Sequence, residues 1–168
     1  MKGPLVTGRV RGTIAAVALG GVLALTGCGT NDTAAIVDGT RISEADAATA
    51  AQQINKQFKP DTPLTTTDAL GLLVIAPTII TAAEAIGHPQ SAESARSRMV
   101  NVENPSDATV ELVRANTALQ SFDQSNTAGL LTRIRALNVT LNPRFGTFNP
   151  AKPGIVAANA PWITASGS

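Results

Sequence analysis

One thiol, one imidazole and twelve carboxylates are the side chains of this 168-residue sequence from which most enzymatic chemistry would have to be built. The thiol is Cys28. It follows Leu25-Thr26-Gly27 at the end of an apolar run. Small residues at Thr26 and Gly27 let an extended backbone enter a peptidase site, and the Cys28 thiol is a nucleophilic handle for acylation. The imidazole is His88, between Gly87 and Pro89 at the expected end of a helix. A histidine beside the negative end of a helix dipole is more often structural than catalytic. The acids are scattered, and no pair has the spacing of an acid–base couple or a metal site. With no second histidine and no cysteine after Cys28, thiol chemistry and histidine-rich zinc sites are disfavoured. No glycine-rich phosphate loop is present. Glu84 on an apolar segment and Arg144 beside Pro143 are the remaining polar candidates. Glu84 is expected at a polar helix edge. Arg144 is either solvated surface or a group that binds a carboxylate or a partner backbone.

The segment before Cys28 has the parts of an export signal. Lys2, Arg9 and Arg11 form a basic start without acids, and Thr13 to Leu25 is an apolar run of 13 residues. A stable transmembrane helix needs roughly 20, and Gly20 and Gly21 weaken the run further. Leu25-Thr26-Gly27-Cys28 resembles the bacterial lipoprotein signal, or lipobox. That resemblance implies cleavage after Gly27, a diacylglyceryl thioether on Cys28, and two acyl chains that anchor stably where one binds reversibly. An ordinary secretory signal with a chance cysteine, or an uncleaved anchor, are the alternatives. Charge, apolar length, small residues and a lone cysteine all favour the lipobox.

Residues 28–168 then make one domain, long enough for a hydrophobic core but without disulfides. All 12 acids lie beyond Cys28, together with ten of the 13 basic residues, so this part carries a net charge of −2. No basic stretch suits nucleic acid. Four phenylalanines, one tryptophan and no tyrosine leave a core of Ala, Leu, Ile and Val. No internal repeat is apparent.

The elements follow from local signals. Residues 29–33 are a polar tether. Ala34 to Ile42 reads as a strand broken by the turn pair Asp38-Gly39. Ser43 caps a helix through Phe58, with Asp46 in a short-armed capping box and Ile54 and Phe58 on the buried face. Thr65 to Asp68 supplies the next cap. Residues 69–86 are apolar nearly all round, as a central helix is. Pro77 is expected to kink it, and Gly87 to end it. A short helix covers Ser91 to Met99. Another starts at Asn104-Pro105 and runs to about Phe122, with Val110, Val113, Leu119 and Phe122 facing inward. Asn126-Thr127 caps a helix containing Leu130, Leu131, Ile134 and Leu137. Asn138 to Thr147 reads as a strand with Pro143 at an edge or bulge. The tail from Phe148 is expected to be extended or loosely ordered, with Trp162 as a candidate to pack back. The fold class is α+β and mostly helical. Its two short strands, about a hundred residues apart, hold together only by pairing, Ala35–Val37 with Val139–Leu141.

Ala-Ile-Val-Asp-Gly-Thr-Arg-Ile-Ser-Glu-Ala-Asp, residues 35–46, resembles the opening segment of the SurA/PrsA-type extracytoplasmic foldases. The apolar helix ending in Ala-Ile-Gly is similar to their central helix. Val139 to Pro150 resembles the strand that closes their chaperone module. The sharp parts of the likeness are residues 36–46 and 139–150. It implies a chaperone-like domain over residues 34–148, between a 1–27 signal with its 28–33 tether and a 149–168 tail. Residues 87–127 read as helix only and hold the single histidine, so the likeness does not extend to the parvulin prolyl isomerase of the full foldases.

Such a domain needs exposed apolar surface and room for an extended chain, not catalytic residues. The expectation is a membrane-anchored, extracytoplasmic holder of unfolded or exported polypeptides, with no cofactor beyond the Cys28 lipid. A structural adaptor for one envelope partner is the alternative. The candidate binding surface is Leu72, Ile75 and Ile79 on the apolar helix with Arg144 and Phe145 on the closing segment. The competing reading of residues 69–86 is that they are simply the core.

Overall fold

The computed structural model describes residues 32–156. The leader, Leu25–Cys28 and Trp162 lie outside this range. The fold opens with a hairpin of β1 (Thr33–Val37) and β2 (Thr40–Ser43). Asp38 and Gly39 both take positive φ, 48° and 85°. That pair of conformations matches the twist of a two-residue hairpin, and Asp-Gly is among the pairs that adopt it readily. On the other side β1 pairs antiparallel with β3 (Val139–Leu141), in the expected register: Ala35 opposite Leu141, Ile36 opposite Thr140, Val37 opposite Val139. The sheet order is β2-β1-β3. Asp38 fastens the far end twice. Its N–H donates to the Asn138 carbonyl and its carboxylate accepts the Asn138 N–H, each at 3.0 Å.

Between β2 and β3 stand five helices: α1 (Glu44–Phe58), α2 (Thr66–Ala85), α3 (Ala92–Ser97), α4 (Asp107–Leu119) and α5 (Gln124–Arg135). The protein is therefore α+β and mostly helical, as expected. Ser43 and Thr65 cap α1 and α2 as read from sequence, and Thr65 with Asp68 forms a reciprocal capping box. Gly87 takes φ 86° just past α2. Two caps sit elsewhere than expected. The α4 cap is Ser106, whose Oγ accepts the Thr109 N–H at 3.2 Å, so Pro105 stays outside the helix. The α5 cap is Asp123, whose carboxylate accepts the N–H groups of Ser125 and Asn126 at 2.8 and 3.1 Å. Asn126 is the reciprocal partner inside the first turn, not the cap. Bonds from the Ser125 hydroxyl and from backbone N–H groups hold the Asp123 carboxyl below its ordinary range.

Helix α2 is the axis of the molecule. It is long and apolar enough to cross a membrane, yet eleven of its twenty residues are buried within the domain. It packs against α1, α4, α5 and the sheet, and continues through Pro77. The main core joins α2 to Ala34, Ala35 and Val37 of β1 and to Ala47, Ala50 and Ala51 of α1. A smaller cluster holds Ala95, Met99, Val102, Val110 and Val113, with Ile54 packed against both. Alanine on α1 lets α2 approach closely, which leaves little width for larger groups. Phe58, expected inward, is 52% exposed because it lies past that alanine stripe. Leu119 is likewise exposed, and α4 buries Leu112, Ala115 and Ala118 instead.

The closing segment differs from one long strand. After β3, Pro143–Phe145 forms a 3₁₀ turn capped by Asn142, and Gly146 follows at φ 108°. Pro143 thus opens a turn where a missing N–H is harmless, rather than sitting in a ladder. Then β4 (Thr147–Phe148) pairs antiparallel with β5 (Ile155–Val156). The expected loose tail therefore starts with a hairpin. It packs on α2 at Gly71, where a Cβ would lie in ordinary contact with Ile155 at 3.5 Å.

Candidate polypeptide-binding surface

The five residues expected to form one binding surface are divided by the fold. Ile75, Ile79 and Phe145 are buried at 9%, 2% and 9% exposure and belong to the main core. This corrects their assignment as surface. A helix apolar all round in a domain of this size is covered on most sides, so its isoleucines are held between α1, α4, α5 and the sheet. Leu72 alone of the three α2 residues is open, at 42%. Arg144 is half-exposed, but its guanidinium forms an ion pair with Glu44 and lies 4.8 Å from the centre of the Phe145 ring. It ties the closing turn to the first turn of α1.

The other candidates stay apart. His88 is exposed beyond α2, its N–H donating to the Ala83 carbonyl at 2.9 Å. Glu84 is exposed on the last turn of α2, the polar edge expected of it. Among the described residues no group of three or more His, Cys, Asp or Glu side chains is arranged to hold a metal ion.

Two clefts remain. The first is apolar, about 290 Å³, and lies where α1 ends against α2 and α4. Ile54, Phe58, Leu64, Leu72, Leu112 and Val113 line it, together with the polar Arg98, Asn116 and Thr117. Amide side chains of α1 build its frame. Asn55 accepts the Leu64 N–H at 2.8 Å and donates to the Leu64 carbonyl at 2.9 Å, which fixes the α1–α2 connection. Gln57 donates to the Arg98 carbonyl and accepts the Asn101 N–H, both at 2.8 Å. Gln53 accepts the Ser106 N–H at 2.9 Å and the Thr109 hydroxyl at 2.6 Å. Phe58 and Leu72 thus stand exposed on a framed wall rather than on a loose loop. The amides and the exposed Phe58 were missed in the sequence. The only local signal was the run of Gln and Asn near the end of a helix otherwise rich in alanine.

The second cleft, about 460 Å³, lies between the hairpin, α2 and α4. Leu73, Val74 and Pro77 supply an apolar wall, and Asp38, Asp46, Asp107 and Glu111 a ring of carboxylates. Burial raises the Glu111 carboxyl above its ordinary range, with the Arg114 charge opposing the rise. Glu111 accepts no hydrogen bond from the described residues. Comparison with known protein families, curated proteins and solved structures finds no match to this chain.

Proposed function

We propose that this chain is a lipid-anchored extracytoplasmic domain of SurA N-terminal type that holds unfolded or newly exported polypeptides without prolyl isomerase chemistry. The sequence Leu25-Thr26-Gly27-Cys28 supports the anchor. The observation that carries the holding role is the framed apolar cleft with Phe58 and Leu72 both exposed in its lining. Exposed large apolar groups around an open cleft are unfavourable in water and favour an apolar partner. The two segments that carry the resemblance, residues 36–46 and 139–150, contribute the paired strands β1 and β3.

Light scattering of several unrelated denatured proteins, diluted into buffer with and without residues 29–168, tests the reading. Near-stoichiometric amounts are expected to suppress scattering, and the Phe58→Ser/Leu72→Ser double variant to lose most of that effect while keeping its helical circular dichroism. A folded domain that suppresses nothing would replace this reading with an adaptor for one partner.

A further inference from the structure

The cleft at the hairpin offers something the apolar cleft lacks, an open sheet edge. Only β1 pairs with β2 among the described residues. Thr40, Arg41 and Ile42, three consecutive residues, all line the cleft. Successive side chains of a strand point to opposite faces, so both faces of β2 border the cleft. Thr40 is paired with Val37 across the two-residue turn. In an antiparallel ladder the pair flanking such a turn exchanges hydrogen bonds and the next pair does not. The N–H and C=O of Arg41 therefore point away from β1, to the open edge of the sheet.

The charges there are unbalanced. Four carboxylates face one guanidinium, Arg41. Arg41 is already paired with Asp32 at 3.4 Å, and of the acids only Asp107 has a cation, Arg96 at 2.6 Å. Arg114, one turn from Glu111, donates its Nε to the Gln90 carbonyl at 2.8 Å and forms no ion pair with Glu111. A half-buried carboxylate with no donor, beside an apolar wall and a free strand edge, fits a cationic side chain on an extended backbone.

We propose that this cleft binds an extended polypeptide segment that adds to β2 as a fourth strand and places one lysine or arginine side chain against Glu111. The inference takes its ligand class from the polypeptide-holding reading, but it rests on different residues. Backbone bonds to Arg41 supply sequence-tolerant affinity, Leu73, Val74 and Pro77 receive the neighbouring apolar side chains, and Glu111 supplies the preference for positive charge.

The test uses the full chain purified in mild detergent and two labelled nine-residue peptides of alternating valine and threonine, with lysine or glutamine at the centre. Fluorescence anisotropy is expected to show the lysine peptide binding roughly tenfold tighter at low salt, a preference that shrinks as salt rises. Glu111→Gln is expected to erase the preference. Hydrogen exchange at the Arg41 amide is expected to slow on adding the lysine peptide to the unmodified protein. Equal binding of both peptides, a preference that survives Glu111→Gln, or an unprotected Arg41 amide would overturn the proposal. Suppressed aggregation without any lysine preference would overturn this cleft alone and leave the apolar cleft as the holding site. The opposite pattern would retain this cleft and remove that one.

Discussion

Glu111 is placed where a carboxylate is expensive. Its folded-state pKa is raised by burial, so the folded protein holds that proton more tightly than the unfolded chain does. Stability from this group is accordingly lost as pH rises from the ordinary glutamate range through the raised value. Glu111→Gln should unfold at higher urea than the parent at pH 7, and the gain should vanish at pH values below the ordinary range. Urea titrations of both proteins at neutral and acid pH check this, and a parent more stable than the variant at pH 7 would contradict it. Residues of this kind are hard to read from a sequence. Between Val110 and Leu112, Glu111 looks like an outward position of an amphipathic helix, and only the hairpin standing across from α4 turns that face into a cleft wall. Phe58 shows the converse. Its spacing from Ile54 is right for burial, yet at the end of α1 it stands 52% exposed on a cleft wall.

At the level of elements, local signals were legible and coverage was not. Ser43, Thr65, Asp38-Gly39 and Gly87 act through bonds and dihedrals within a few residues, and each does so where expected. The pairing of β1 with β3 was also legible, because two short apolar strands have few other partners. Which residues of α2 stay open was not legible, since a helix apolar all round carries no stripe to mark its exposed side. The contrast gives a direct measurement. Ile79→Ala should lose about 2–5 kcal/mol of unfolding free energy, the range for truncating a buried aliphatic side chain. Leu72→Ala, at a 42% exposed site, should lose much less. Equal losses in chemical denaturation would mean that Leu72 is covered.

For the whole molecule, the anchor and the fold are separate questions that meet at Thr33, five residues after Cys28. An extended five-residue tether spans at most about 18 Å, so acylation of Cys28 would hold the domain close to the lipid headgroups. The full chain should partition into the detergent phase on cloud-point separation, and Cys28→Ser should move it to the aqueous phase with its folded spectrum intact. An unmodified chain that stays aqueous after export would exclude the anchor. The sheet also imposes an order in time. Its middle strand emerges early in synthesis, while Asn138, which fastens its turn, comes 100 residues after Asp38. A ribosome needs roughly 5–20 s for that length, whereas a hairpin forms in about 1–10 μs. A lone hairpin is only marginally stable. For those seconds β1 has one edge waiting for a partner not yet made, and the first element synthesised is among the last to become secure.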